Sequence, residues 1–183
     1  MTTKHQSPAE AAAEIRGNLK KFYGITSRQV SVRAKSFSMG SAIDITVNDP
    51  AVDIREVRNA ADSKEKIRYC EYSGEILSGG NRYLSVGYGR KAAEAFAAAN
   101  AEAIAKLLAV LPERGSNTSG PEVQIDGKTL VVMRGQNGCD LNLYDTGKPY
   151  MRPAWIPQPD YLAKPEGKVA VAESILGMRS GQS

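Results

Sequence analysis

The chemistry open to this chain is narrow. It holds one histidine, His5, in a polar N-terminal stub, and two cysteines, Cys70 and Cys139, far apart and in no CxxC pattern. Nothing there supplies the positioned imidazole with which Ser-His-Asp and Cys-His hydrolases move a proton. Structural zinc wants four Cys or His ligands at short spacing, and the chain lacks them. The carboxylates are scattered, and no two are spaced to share a face for acid–base or metal work. The expectation is a protein that binds rather than catalyses, with no cofactor and no metal.

Cations are the remaining resource. The chain has 24 Lys and Arg against 20 Asp and Glu, a net charge of +4. Residues 1–48 account for all of it, with Lys4, Arg16, Lys20, Lys21, Arg28, Arg33 and Lys35 against Glu10, Glu14 and Asp44. A basic quarter on a neutral chain points to phosphate or to an acidic protein surface. Arg16, Lys20, Lys21, Arg28, Arg33 and Lys35 are the candidate contacts, with Ser31, Ser36 and Ser38 beside them. A plainer account stands next to this one. Glu10 and Glu14 near a helix start, and Lys20 and Lys21 near its end, complement the helix dipole. Arg33 is placed to pair with Asp44 across a hairpin. Aromatics interleave only at Tyr23 and Phe37, fewer than single-strand binders use.

Two further stretches could carry contacts. Gly79-Gly80-Asn81-Arg82 could turn backbone N–H groups towards an anion, with Asn81 and Arg82 alongside. It precedes a strand and lacks the Lys-Ser/Thr ending of a phosphate loop, so a tight turn into the strand explains it as well. Gly87-Tyr88-Gly89-Arg90 is a strand-to-helix turn of similar promise. Near the C-terminus, Tyr150, Trp155 and Tyr161 stand among prolines. Such an arm suits either a partner contact or a cover for its own core.

The elements that must position these residues are legible. Ser7-Pro8-Ala9-Glu10 reads as a capping box with proline at the first helical position. Ala11, Ile15, Leu19 and Phe22 then recur at helical spacing up to Gly24. Val30, Val32 and Ala34 alternate with polar neighbours, as do Ile43, Ile45 and Val47, predicting two antiparallel strands joined by a hairpin. Asp49-Pro50 reads as the start of a second helix ending near Lys66. Leu84, Val86 and Tyr88 mark a third strand, and residues 90–111 predict one long Ala-rich helix. Residues 112–121 read as a linker. Beyond it, Asp126-Gly127 turns a hairpin, Leu141 and Leu143 mark a short strand, residues 148–165 read as an extended arm, and Val169 to Met178 as a short helix. The predicted class is α+β: an α-β-β-α-β-α domain over 7–111 with a small, mostly antiparallel sheet covered by helices. A β-rich extension with the arm follows over 122–183.

Two strings stand out together. One is Phe22-Tyr23-Gly24-Ile25 followed by Val30-Ser31-Val32-Arg33 and Gly40-Ser41-Ala42-Ile43. The other is Tyr72-Ser73-Gly74-Glu75-Ile76-Leu77-Ser78-Gly79-Gly80-Asn81-Arg82-Tyr83. Over about residues 8–88 the chain resembles the large polyvalent-protein-associated domains of phages and conjugative elements. Such domains often end the second strand with an aromatic and an Asp-Gly-Pro-like turn, where this chain reads Val47-Asn48-Asp49-Pro50. The resemblance implies a mobile-element setting rather than a reaction. It implies a non-enzymatic accessory protein in counter-defence, anti-CRISPR or anti-restriction, that binds a host defence protein or nucleoprotein complex. The alternative is a nucleic-acid-binding module, for DNA or RNA, using the basic helix and hairpin. No run approaches the roughly 18 apolar residues of a membrane span, and no signal-peptide core is visible. The expected place is the host bacterial cytoplasm, with no membrane partner.

Overall fold

A computed structural model describes residues 6–113, 119–134, 141–147, 153–157 and 159–179. His5, Cys139 and Tyr150 lie outside the described residues. The chain divides into two compact units, one up to Gly89 and one from Arg90 onward.

The first unit opens with helix α1 (Pro8–Tyr23). Its capping box is complete: Ser7 Oγ accepts from the Glu10 N–H at 3.2 Å, and the Glu10 carboxylate accepts from the Ser7 N–H at 2.8 Å. Gly24, at φ 67°, closes the helix in the left-handed region that glycine enters without strain. Ala11, Ile15 and Leu19 are buried as their spacing predicts, but Phe22 is 66 % exposed. The chain reverses at Gly24, and Ile25, whose N–H returns to the Leu19 carbonyl at 3.0 Å, enters the core in its stead.

Strands β1 (Val30–Phe37) and β2 (Gly40–Val47) form the expected antiparallel hairpin, with Val30 opposite Val47 and Phe37 opposite Gly40. Strand β3 (Asn81–Tyr88) lies on the other side of β2 and runs parallel to it, Gly40 beside Asn81 and Val47 beside Tyr88. Parallel pairing needs a crossover, and helix α2 (Ile54–Ala61) supplies it. Its N-cap is Asp53, not Asp49 as the sequence suggests. Asp49 Oδ1 accepts from the Ala51 N–H at 2.9 Å, an Asx turn that delays the helix until the second acid. A 3-10 turn, Asp62–Lys64, follows. Lys66, expected at the helix end, instead exchanges two backbone bonds with Arg82, 2.9 and 2.7 Å long.

Cross-strand register sorts the sheet into two faces. On one, Val30–Val47–Tyr88, Val32–Ile45–Val86 and Ala34–Ile43–Leu84 form rows. Most of these residues form the core with Ile15 and Leu19 of α1 and Ile54 and Val57 of α2. A fourth row, Ser36–Ser41–Arg82, ends that face with polar side chains. The opposite face carries Ser31–Thr46–Gly87, Arg33–Asp44–Ser85, Lys35–Ala42–Tyr83 and Phe37–Gly40–Asn81.

In the second unit the expected single helix over 90–111 is two, α3 (Arg90–Ala99) and α4 (Ala101–Leu108). They part at Asn100, whose side-chain amide donates to the Phe96 carbonyl at 2.9 Å and so competes with the helix ladder. Both helices belong to this unit, which moves the boundary from 112–121 back to Gly89. The reason is packing: α3 lies against a C-terminal helix, α6 (Pro165–Arg179), through an apolar face that includes Phe96. The far end of the expected linker is fastened too, the Gly120 N–H donating to the Val132 carbonyl at 2.9 Å.

Strands β4 (Val123–Ile125), β5 (Lys128–Arg134), β6 (Leu141–Asp145) and β7 (Ala154–Ile156) make an antiparallel sheet in that order. Asp126 and Gly127, at φ 56° and 68°, form the predicted turn. The expected extended arm is a correction. Its described part is β7 and a short helix, α5 (Pro159–Leu162), anchored by buried Ile156 and Leu162. The prolines suit this, since Pro159 and Pro165 are the first residues of α5 and α6. The α+β class thus holds, and four of the five strand pairings in the described residues are antiparallel. No helix among the described residues is long and apolar enough to cross a membrane.

Candidate nucleic-acid interface

The open face of the first sheet gathers the residues best suited to a ligand. Alternation along β1 sends Arg33, Lys35 and Phe37 to that face, and all three are exposed. Parallel pairing of β3 then brings Tyr83 to the same end. The Phe37 and Tyr83 rings stack with centroids 6.4 Å apart and planes 20° apart. The Tyr83 hydroxyl accepts from Asn81 Nδ2 at 3.4 Å, which orients the ring. Beside the aromatic pair β2 presents Gly40 and Ala42, so the floor there is shallow. Gly40 is required there, because a Cβ on it would stand 2.6 Å from the Asn81 carbonyl oxygen.

Electrostatics on this face are mixed. Arg33 faces Asp44 across the ladder, as anticipated, yet Asp44 Oδ2 takes Lys35 Nζ at 2.5 Å. Arg33 makes no ion pair among the described residues. Both partners of the Lys35–Asp44 pair are substantially exposed, so the pair is weak and open to competition from phosphate.

The helix cations do not join this face. Arg16 Nη1 donates to the Val32 carbonyl at 2.8 Å, which ties α1 to the outer edge of β1. Arg16 and Lys20 line a cavity of about 250 Å³ with Leu19, Ile25, Thr26 and Ser27. Lys21 Nζ sits 5.1 Å from the centre of the Phe22 ring, and Arg28 is exposed on the following turn. The six candidate cations thus form two groups, one in the helix layer and one on the far face of the sheet.

Asn81 and Arg82 are corrections. They are 2 % and 3 % exposed, so neither joins the exposed contacts of the open face. Asn81 Nδ2 donates to the Leu77 carbonyl at 2.7 Å while its Oδ1 accepts from the Arg68 N–H at 3.0 Å. It fastens the loop before β3 onto the strand. Gly74, Gly79 and Gly80 in that loop do have the positive φ angles their type suggests. Of the C-terminal aromatics, Trp155 on β7 is 58 % exposed and Tyr161 on α5 is 43 % exposed. Trp155 borders a cavity of about 420 Å³ with Pro153, Pro157, Ala170, Gly177 and Met178.

Shifts in titration, Glu10, Glu14 and Cys70 among them, bear on structure rather than on this face. The Ser7 backbone N–H and hydroxyl hold Glu10 below its ordinary range, and Lys64 with Gln6 does the same for Glu14. Hydrogen bonds from Ser73 and the Tyr72 backbone lower the Cys70 thiol. Among the described residues no group of His, Cys, Asp and Glu could hold a metal ion.

Tyr83 is the functional candidate that sequence reading misses. Alternation places it off the Leu84, Val86 and Tyr88 face, but nothing local says that Phe37 is its neighbour. Compared with known proteins, the chain matches no family model, no curated protein and no solved structure.

Proposed function

We propose that the first unit is a non-enzymatic module that binds single-stranded nucleic acid on the open face of its sheet. One observation carries the reading. The Phe37–Tyr83 pair stands over a floor of Gly40 and Ala42 with Arg33 and Lys35 on the neighbouring strand. Bases of a single strand expose their faces and stack on aromatic side chains, while cations track the backbone. A duplex hides those faces, so the geometry favours a single strand. In the mobile-element setting that the sequence resembles, such a module suits an accessory protein acting on the nucleic-acid part of a host defence complex. That counter-defence role draws its support from the quoted sequence strings.

The test is fluorescence anisotropy with labelled single-stranded DNA and RNA and with a duplex, over a range of salt. Single strands bind more tightly than the duplex. Tyr83→Ala costs on the order of 1–3 kcal/mol of binding, the usual size of one stacked base. Arg33→Ala with Lys35→Ala flattens the salt dependence by roughly 0.7 in log–log slope for each phosphate no longer neutralised. An absence of binding at low salt, or a Tyr83→Ala protein that binds as well as the parent, sinks the reading.

Exposed Trp155, bordering its cavity in the second unit, favours a second contact with a protein partner. Pull-down from host lysate with Trp155→Ala beside the parent chain tests it. A defence subunit retained equally by both would remove Trp155 from the account.

A further inference from the structure

We infer that the polar end of the covered sheet face, Ser41 and Arg82 beneath the start of α1, is an oxyanion site for a phosphate group. The site lies on the face opposite the aromatic pair and does not depend on the single-strand reading. Three rows of that face are mainly apolar, and the fourth is Ser36–Ser41–Arg82. Arg82 is 3 % exposed and Ser41, whose Oγ donates to the Asn81 carbonyl over a long 3.4 Å, is 8 % exposed, so a guanidinium and a hydroxyl lie on neighbouring strands away from bulk water. Arg82 Nη2 donates to the carbonyl of Gln6, the residue just before the Ser7 cap, which sets the guanidinium at the N-terminus of the sixteen-residue α1. Its other two nitrogens, Nε and Nη1, are buried without an acceptor among the described residues.

Buried donors are satisfied in nearly all folded proteins, and one left open points to a missing water or ion. Bonds from a guanidinium to an anionic acceptor are about twice as strong as neutral ones, so an anion satisfies two open nitrogens better than water does. The nearby carboxylates do not fill it. Glu10 accepts from the Ser7 N–H, and Glu14 takes Gln6 Nε2 at 2.7 Å and Lys64 Nζ at 2.5 Å. Lys64, with its side chain 13 % exposed, is thereby held as the partner of Glu14 and leaves that carboxylate engaged away from Arg82. Among the described residues the one acceptor on the Arg82 guanidinium is the neutral Gln6 carbonyl, which an incoming dianion outcompetes as a charge-assisted acceptor. Guanidinium, hydroxyl and the positive end of a helix together are the usual surroundings of a bound phosphate.

Such a phosphate is either free in solution or the terminal phosphate of a nucleic acid, and the two are separable. Calorimetric titration with inorganic phosphate at fixed ionic strength reads the site directly. The parent chain gives a saturable isotherm, Arg82→Gln weakens it by about tenfold or more, and Ser41→Ala weakens it severalfold, as loss of bonds to a charged group implies. A second arm compares 5′-phosphorylated with 5′-hydroxyl single-stranded DNA. A gain from the 5′-phosphate that Arg82→Gln removes supports a nucleic-acid end as the source. Equal binding of both strands beside saturable inorganic phosphate supports free phosphate. Circular dichroism checks the fold of each variant, and Ser41→Ala alone decides if Arg82→Gln is unfolded. No saturable phosphate isotherm with the folded parent, or one unchanged in the folded variants, overturns the site. Because the phosphate arm needs no oligonucleotide, its failure is distinct from failure of the sheet-face reading.

Discussion

Lys35 Nζ closes on Asp44 Oδ2 at 2.5 Å, although the residue facing Asp44 across the β1–β2 ladder is Arg33. Among the described residues the diagonal pair leaves Arg33 without an ion pair on the open face and puts one carboxylate where a phosphate backbone would run. Exposed pairs of this kind contribute about 0–1 kcal/mol to stability.

Removing that carboxylate separates the two roles. Asp44→Asn is expected to tighten single-strand binding by about threefold at low salt while changing stability by less than about 1 kcal/mol. The gain fades as salt screens the face. Anisotropy titrations at low and high salt check it, and weaker binding by the variant at low salt would falsify the placement of the strand beside Lys35.

Two glycines of the same sheet should answer oppositely to alanine. At Gly40 the new Cβ meets the Asn81 carbonyl oxygen at 2.6 Å, and backbone must yield. The expected cost is about 1–3 kcal/mol, as for other overpacked sites, with loosening of the neighbouring aromatic pair. At Gly87 nothing lies within 4 Å, and alanine is neutral or slightly stabilising. Urea unfolding of the two variants compares them. Equal effects would mean that β2 and β3 do not approach as closely as described.

Arg82 makes a prediction about stability that is independent of its ligand. A buried cation with two open nitrogens is a burden on the fold, and an apolar side chain of similar length removes it. In phosphate-free buffer Arg82→Met is expected to stabilise the protein by about 1–2 kcal/mol, in line with replacements of buried charges elsewhere. The check is the melting temperature, which should rise. A fall would show that Nε and Nη1 find acceptors in solution.

Acid should act in part through the start of α1, and in part through Glu102 of α4, which Lys106 also holds low. Glu10 and Glu14 both titrate below their ordinary value of 4.5 when folded, Glu10 through Ser7 and Glu14 through Lys64 and Gln6. A depressed folded pKa binds fewer protons than the unfolded chain, so its contribution is complete above the unfolded value. It is lost as pH falls through the folded value. Stability measured by urea unfolding should therefore drop below about pH 4.5, and Glu14→Gln should flatten that drop. An acid limb of the same slope in both proteins would assign it to other groups.

What was legible in the sequence was local. The Ser7–Glu10 capping box, the Gly24 stop, the β1–β2 alternation and the Asp126-Gly127 turn all depend on residues within a few positions of one another, and each stands as read. The α+β class follows from those short-range signals. The boundary at Gly89 was not legible, because the partner of α3 is a C-terminal helix that no local pattern names. The same holds for the binding face. Alternation sends Arg33, Lys35 and Phe37 to one side of β1, but the direction and register of β3 come from the crossover and the shared core. Only that pairing sets Tyr83 beside Phe37 on the open face and buries Arg82 on the other. Side-chain type is written in the chain, whereas exposure and neighbourhood depend on contacts between distant segments, and these decide which of the candidate residues can meet a ligand.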